Sequence, residues 1–385
     1  MRGRVDGQGE VFHTFNVQDL IPADHPLREI KRRADRVLAG MSRGFNAAYG
    51  RTGRPSVPPE RLIKALLLQA LYSVRSEIQL CEQIGYNLLF RWFLDLQPSE
   101  AVWTPEVFSM NRRRFEQHGF VRTFFERVRD EALLEGLASR EHFCVDGTLI
   151  QSYASLKSLR PIESTDTKVS DSSDDDDRGN PTVNFRGQKR CNATHRSIVD
   201  PEARLMRKGD GQPALLSHSA HVLMDARSGL LIDIDLDEAN GTAERTQALQ
   251  MLDGVRRRRV RCWPKTLGAD GGYTAGEFLR ELERRGVKPY VPIPERPIRG
   301  GDSANPERRA AARARRRARR RMRTAAYRAV QRVRKRVEEI ISWCKTIGGL
   351  ARTRFVGRWR IRLQATLTGV AYNLLRMARL RPAMA

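Results

Sequence analysis

Two short apolar segments that each end in an aspartate followed by glycine constrain the fold more than any other feature of this chain. The first segment ends at Asp146 and the second at Asp270. Short apolar runs of this kind are typical of buried strands. Residues 242–255 and 275–285 have the apolar spacing of helices. Strands that alternate with helices predict an α/β structure from about residue 140 onward.

The part of the chain before residue 138 has a mainly helical pattern. From residue 60 apolar residues recur at helical spacing, and Ser76 with Gln79 has the composition of a capping box. We therefore predict an all-α, DNA-binding domain at residues 59–137, after a lead-in at residues 1–58 that ends in a basic, proline-rich stretch. Helix, short break, helix also fits a helix-turn-helix reader. Most small helical clusters are not readers, so the mode of binding stays open.

Residues 138–385 form the predicted catalytic domain, and two of its segments are polar or acidic. Residues 156–213 are an irregular polar insertion, and their acidic run at 170–177 is typical of a solvated loop, because adjacent aspartates repel one another. Residues 215–237 have the pattern of a β-hairpin whose second arm carries three alternating aspartates. We expect these aspartates on a solvent face. A calcium loop is excluded, because Glu238 stands where such a loop needs glycine.

Positive charge is the compositional outlier. Lys and Arg number 70 against 45 Asp and Glu, a net charge of +25. This surplus favours a polyanionic partner, because each neutralised phosphate releases counterions, and ribosomal, membrane-surface and DNA-processing proteins share it. Residues 308–323 hold ten arginines, within a basic helical stretch at about 303–336. We expect this stretch to lie against a phosphate backbone. The predicted DNA-binding residues are Arg315, Arg316, Arg317, Arg319, Arg320 and Arg321.

Cysteine usage and hydropathy predict the compartment. The five cysteines include no C-x-x-C pair, and their odd number argues against a disulfide framework or a zinc finger. The first fifteen residues are polar and lack the apolar core of a signal peptide. No apolar run approaches the roughly 18 residues that a membrane span needs. We therefore expect a soluble protein of the reducing cytoplasm with no membrane partner.

The two aspartates and a glutamate on a later helix suit chemistry on phosphate. Two divalent ions about 3.5–4 Å apart can activate a nucleophile and stabilise a leaving oxygen. Magnesium prefers oxygen ligands and keeps several waters, so two or three carboxylates suffice. We choose Glu338, which shares a helix face with Arg334 and Lys345, over Glu339, which shares one with Lys335. Taken singly, each acid also has an ordinary explanation as a turn residue or a solvated ion pair.

Several blocks of the sequence resemble the DDE transposases of bacterial insertion sequences, the IS-five group in particular. The similarity covers most of the chain, and the order of the blocks is more specific than any one of them. They are GRPSVPPER at 53–61, ALYS at 70–73, YNLLFRWF at 86–93, VDGTLI at 145–150 with AS at 154–155, GTAER at 241–245, ADGGY at 269–273, and RKRVEE at 334–339 with Trp343 and Lys345.

The resemblance implies a ribonuclease-H-like catalytic core, a mixed sheet with flanking helices, in which Asp146, Asp270 and Glu338 are the catalytic metal ligands. It implies two Mg²⁺ ions, with Mn²⁺ as the alternative, and places Arg334 and Lys345 on the DNA backbone. The implied reaction is hydrolysis at the element end, which frees a 3′ hydroxyl, and attack of that hydroxyl on target DNA. We expect double-stranded DNA as the partner, a homo-oligomer on that DNA, and a bacterial, nucleoid-associated location.

Three departures separate the chain from the family pattern. Gln331 stands where the signature has tyrosine, Asn184 stands where we expect an acid, and the arginine-dense stretch is longer and more basic than expected. Alternatives therefore stay open. The chain could be a ribonuclease-H-like nuclease without strand transfer, or a non-catalytic DNA-binding protein derived from a decayed transposase. A structural role in a nucleoprotein particle is the weakest alternative.

Overall fold

The computed structural model describes residues 16–50, 52–53, 55–162, 183–185, 187–207, 212–239 and 243–380. The acidic run at 170–177 and the side chain of Asn184 lie outside the described residues. The part before residue 138 is helical, as predicted. Its helices are α1 (Pro26–Ala39), α2 (Ser42–Ala48), α3 (Pro59–Leu71), α4 (Glu77–Tyr86), α5 (Leu88–Phe93), α6 (Glu106–Gln117) and α7 (Phe120–Leu134).

Helices α1 and α2 lie within the segment interpreted as a lead-in, which therefore contains regular structure. Helix α1 begins at Pro26 after His25, whose Nδ1 accepts the N–H of Leu27 at 3.2 Å. Its apolar face is buried, and the fully buried Arg33 pairs at 2.8 Å with Glu135, the residue that follows α7. Charged residues make up half of α1 and hide its apolar stripe in the sequence.

A mixed six-stranded sheet forms the centre of the second part. The strand order is β10-β9-β1-β7, with both β6 and β8 paired to the far edge of β7. β10, β9 and β1 are parallel, and β7 is antiparallel to its neighbours, which confirms a mixed α/β fold. The strands are β1 (His142–Gln151), β2 (Leu159–Pro161), β3 (Val183–Phe185), β4 (Gln188–Arg190), β5 (His195–Ser197), β6 (Arg204–Met206), β7 (Leu215–Asp225), β8 (Leu231–Asp237), β9 (Thr266–Gly268) and β10 (Lys288–Tyr290).

Helices pack around this sheet and join it to the first part. They are α8 (Ala243–Arg257), α9 (Gly276–Arg284), α10 (Pro306–Arg321), α11 (Ala325–Arg334), α12 (Arg336–Thr346) and α13 (Arg358–Leu380). Helix α13 contacts β8 as well as α1, α3 and α7. Gly369 permits this approach, because a Cβ there would lie 3.1 Å from Ile234 Cγ2 and 3.2 Å from Phe125 Cε2. The two parts therefore share one hydrophobic core, and the boundary at residue 138 stays a prediction.

Helix α9 lies within the segment 275–285 that the apolar spacing predicts to be helical. The helix begins at Gly276, and no side chain caps it. A Cβ on Gly276 would lie 2.8 Å from the carbonyl oxygen of Ala311 in α10. The missing side chain at Gly276 therefore lets α9 and α10 pack closely where α9 begins. In the part of the chain that the structure covers, no helix is long and apolar enough to traverse a bilayer.

The aspartates of β8 do not lie on a solvent face, so that expectation is wrong. Three arginines from α7 and α13 pair with them: Arg122 with Asp233 at 2.5 Å, Arg362 with Asp235 at 2.7 Å and Arg358 with Asp237 at 3.3 Å. The aliphatic residues between the aspartates are buried as well, and Asp233 itself is only 3% exposed. The alternation of polar and apolar residues predicted that the aspartates are exposed. This failed because the helices that cover them come from distant parts of the chain.

The predicted insertion at 156–213 contains regular structure where it is described. The short strands β2 and β5 pair within it, and β6 joins the main sheet. Asp200 accepts a hydrogen bond from Ser152 Oγ at 2.7 Å and pairs with His218 Nε2 at 2.8 Å. All three side chains are fully buried. This network attaches the insertion to the end of β1 and to β7.

Candidate active site

The register between β1 and β9 aligns the two aspartates. The strands are parallel and pair Cys144 with Gly268. The same register continued by two residues sets Asp146 opposite Asp270, whose backbone is still extended at φ −82° and ψ −171°. Because residues two apart face the same side of a strand, both carboxylates emerge on one face of the sheet. β1 itself continues along β7 to Gln151, so the predicted strand end at Asp146 is wrong. The neighbouring strand β9 does end close to its aspartate, at Gly268, two residues before Asp270.

Asp146 and Asp270 are crowded by like charge. Burial and the charge of Asp270 raise the pKa of Asp146 to about 6, and Glu338 adds to this shift. Both carboxylates are held by their own turns. Asp146 Oδ1 accepts the N–H of Gly147 at 2.8 Å, and Asp270 Oδ1 accepts that of Gly272 at 2.9 Å. The raised pKa of Asp146 shows that its negative charge is poorly compensated, so this place favours a cation.

Arg334 and Glu338 reach this place from two helices rather than one. Helix α11 ends at Arg334 and α12 begins two residues later, so the predicted continuous helix face is interrupted. Arg334 still lies between the acids, with Nη1 3.8 Å from Asp146 Oδ2 and Nη2 3.6 Å from Glu338 Oε1. The Glu338 side chain is 64% exposed. Lys345, predicted for the same face, is partly buried in the last turn of α12.

Gln331, the residue that departs from the family signature, connects α11 to the ends of two strands. Its Nε2 donates to the carbonyl oxygens of Tyr290 at 2.7 Å and Ala269 at 3.3 Å. Its Oε1 accepts from Arg334 Nε at 3.2 Å. Ala269 immediately precedes Asp270. Gln331 therefore orients Arg334 relative to the aspartate-bearing turn, a function that the sequence did not indicate.

A further acid, Glu244, comes close to both aspartates, although the sequence analysis assigned it no role. It lies in the first turn of α8 and is partly buried. Burial, then the charges of Asp270 and Asp146, raise its pKa, and Arg245 opposes the shift. Its position inside the GTAER block at 241–245 is the one signal in the sequence that could have drawn attention to it.

The chemistry of these side chains suits a hard divalent cation. Every candidate ligand is a carboxylate oxygen. Arg334 neutralises two of these acids only in part, because its nitrogens lie 3.6 and 3.8 Å from their oxygens. Across the described residues, no three His, Cys, Asp or Glu side chains converge closely enough to ligate one ion as they stand. Like charges repel in the absence of a cation, so ligation requires the carboxylates to rotate toward one another.

The arginine-rich helix α10 is docked on the protein rather than free in solvent. Ala314 and Ala318 are buried, and α10 packs on α9. Four of the six predicted DNA-binding arginines bind other protein groups, whereas Arg316 and Arg320 are exposed and have no such partner among the described residues. Arg315 donates to the carbonyl oxygen of Thr274, Arg319 donates to those of Pro294 and Arg296, and Arg317 and Arg321 pair with Glu283 at 2.5 and 2.9 Å.

Two protein families match this chain. Residues 138–374 match the family described as "Transposase DDE domain", and residues 15–114 match "Transposase domain (DUF772)". The first match alone spans more than half of the chain. The chain belongs to the DDE transposase family. It is an enzyme that cleaves and transfers DNA strands by hydrolysis and transesterification that depend on a divalent metal ion.

Other comparisons add little to this family match. No curated protein matches the transposase. Two solved structures resemble it at low identity. "Mos1 transposase paired-end complex with left transposon end" is 12% identical, covers 74% of this chain and 82% of its own, and has a TM-score of 0.20. "Crystal structure of a pre-cleavage Mos1 transpososome" is 11% identical, covers 85% and 82%, and has a TM-score of 0.19. Such low TM-scores carry no argument about the fold.

Proposed function

We propose that this transposase cuts at the ends of an insertion sequence of the IS-five group and joins the freed 3′ hydroxyl to target DNA. In this proposal Asp146, Asp270 and Glu338 are the ligands of two Mg²⁺ ions, and the sheet with its helices is a ribonuclease-H-like core. The supporting observation is the alignment of Asp146 with Asp270 on one face of the sheet, with Glu338 close enough to influence the pKa of Asp146.

The protein groups have separate tasks in this reaction. When bound, the divalent ions activate the attacking oxygen and neutralise charge on the leaving oxygen. Asp146 and Asp270 provide ligands whose backbone is fixed by β1 and by the turn after β9. Glu338 approaches from α12 and closes the site on the exposed side. Arg334 exchanges its long contacts with the acids for a phosphate of the DNA. No covalent intermediate with the enzyme is required.

The DNA contacts divide between the site and α10. Arg334 and Lys345 bind the backbone near the cleaved bond, and the outward arginines of α10 bind phosphates farther away. Exposed arginines recur along α10 and just beyond it at Arg313, Arg316, Arg320 and Arg323, a spacing that puts them on one helix face. Residues 59–137 form a DNA-binding domain, and several copies of the chain assemble on the two ends of the element.

The test is cleavage of a labelled duplex taken from the element's own flanks, with Mg²⁺ or Mn²⁺ present. Wild type is compared with Asp146→Asn, Asp270→Ala and the control Glu339→Gln, which changes an exposed acid beside Glu338. We expect wild type and control to nick the end and join it to target DNA. The two aspartate variants bind the end normally and leave it uncut.

Each contrary outcome points to a different conclusion. Cleavage by the Asp146→Asn variant would overturn the ligand assignment. Cleavage by wild type without joining would assign a nuclease. End binding with no cleavage under either metal would indicate a decayed transposase.

A further inference from the structure

The carboxylate of Glu244 lies between the two turns that carry the aspartates. A Cβ built on Gly147, the residue after Asp146, would lie 2.7 Å from Glu244 Oε1. A Cβ built on Gly272, two residues after Asp270, would lie 3.8 Å from Glu244 Oε2. The two oxygens of this side chain therefore face the backbone of both turns, and the glycine after Asp146 leaves the space that Glu244 occupies.

Helix α8 holds Glu244 in this position. One turn farther along, the buried Gln247 donates from Nε2 to Asp235 Oδ2 at 3.0 Å, which fixes the start of the helix to β8. Ala248, Met251 and Leu252 are buried, and α8 contacts β1, β7 and β8. Because residues four apart share a helix face, Glu244 lies on the side of α8 that faces the sheet.

Among the described residues, only the charge of Arg245 acts favourably on the Glu244 carboxylate, and it does so without an ion pair. No arginine, lysine or histidine in the described parts of the chain forms an ion pair with Glu244. Close by, the side chain of Tyr273 is fully buried, and its hydroxyl has no hydrogen-bond partner among the described residues. Burial, and then the charges of Glu244, Asp146 and Asp270, raise the pKa of Tyr273. Buried charges and buried polar groups in proteins normally have partners, so this cluster calls for one that the described residues do not provide.

We propose that Glu244 is a fourth carboxylate of the metal site and binds the divalent ion that Asp146 and Asp270 hold. The inference rests on the proposed function and extends it by one residue. A glutamate that only stabilises the fold would be expected to form an ion pair, and the described residues form none with Glu244. The core fixes the backbone of β1, of the turn after β9 and of α8, so only the carboxylates must rotate and the ion binds before DNA arrives.

The test measures Mn²⁺ binding to the full-length, DNA-free protein by the electron paramagnetic resonance signal of free Mn²⁺. We expect Glu244→Gln to weaken Mn²⁺ binding roughly tenfold or more, as Asp146→Asn does, and Glu339→Gln to leave it unchanged. Wild-type affinity in Glu244→Gln, together with loss in Asp146→Asn, would overturn this inference and leave the proposed function intact. Equal binding by wild type and Asp146→Asn would overturn both.

Gly147→Ala tests the close approach of Glu244 to Gly147 without replacing an acidic residue. Its Cβ displaces the Glu244 carboxylate, so Mn²⁺ binding weakens, and the effect disappears in a Glu244→Ala background. An equal loss in both backgrounds would show that the methyl group acts elsewhere. Glu244→Asp retains the charge and should bind more tightly than Glu244→Gln. Thermal unfolding of each variant separates loss of the ligand from loss of the fold.

Discussion

Two groups of acidic residues lie on or beside the same sheet, and among the described residues only one of them is fully paired with arginines. On β8, Asp233, Asp235 and Asp237 each pair with an arginine at 2.5 to 3.3 Å. Around the end of β9, Asp146 has a single arginine at 3.8 Å, and Glu244 has no ion pair among the described residues. The paired acids of β8 hold helices on the sheet, whereas the less neutralised acids around the end of β9 are those to which we propose that a metal ion binds.

The arginines of α10 divide in the same way. Arg317 and Arg321 pair with Glu283 of α9 and fasten the helix, whereas Arg316 and Arg320 face solvent. In this protein the number of charges in a segment therefore says less about function than whether the fold has already neutralised each charge.

The largest effect on stability is expected from breaking a pair on β8. Arg122→Ala leaves Asp233 buried without its closest cation, and should lower the free energy of unfolding by about 3 kcal/mol. Burial already raises the pKa of Asp233, and Arg122 opposes this. Urea unfolding measures the change. In an Asp233→Asn background the same substitution should cost much less, and an equal cost would count against the pairing.

Asp146→Asn should instead raise the free energy of unfolding of the metal-free protein. The folded pKa of about 6 exceeds the ordinary aspartate pKa of 3.8, so the wild type loses stability as pH rises from about 4 to above 6. Removal of the charge should therefore stabilise the apoprotein by up to about 3 kcal/mol at pH 7, and by little at pH 4. Unfolding in the presence of a chelator at both pH values measures this. Destabilisation at pH 7 would mean that Asp146 is structural.

Gln331 forms a hydrogen bond with Arg334, the arginine that lies near both Asp146 and Glu338. Gln331→Leu removes its three hydrogen bonds, so the turnover rate should fall roughly tenfold to a hundredfold through misplacement of Arg334. Single-turnover cleavage measures the rate, and Mn²⁺ binding should be unchanged. Gln331→Tyr, which restores a donor, should recover part of the rate. A loss of metal binding in Gln331→Leu would assign the residue to the metal site itself.

The smallest effect is expected on α10. Arg316→Ala with Arg320→Ala should reduce the steepness of the salt dependence of end binding by about 2 on logarithmic axes, because two phosphate contacts are lost. The matched control, Arg317→Ala with Arg321→Ala, removes the same charge from the same helix. It should lower thermal stability and change the salt slope little. Identical slopes in the two double variants would contradict the division between paired and exposed arginines.

Local patterns in the sequence were enough to predict the hairpin β7–β8, the helix over the arginine-rich stretch and the strands that lead to Asp146 and Asp270. These features depend on residue periodicity and on turn residues, which act over a few positions. Arg334 and Glu338, four residues apart, also come together as their spacing indicated. That Asp146 and Asp270 are aligned followed from the family resemblance and is supported by the register of β1 and β9.

Only the tertiary structure decided which charges are neutralised. Arg122 and Asp233 are 111 residues apart in the chain, and Arg362 and Asp235 are 127 apart, so no local pattern indicates either pair. The approach of Glu244 to Asp146 and Asp270 likewise depends on how α8 packs on the sheet. Electrostatic interactions depend on distance in space, whereas periodicity reports only on neighbours in the chain. For that reason the sequence indicated which residues are charged, and the fold determined which of them remain available for metal and DNA.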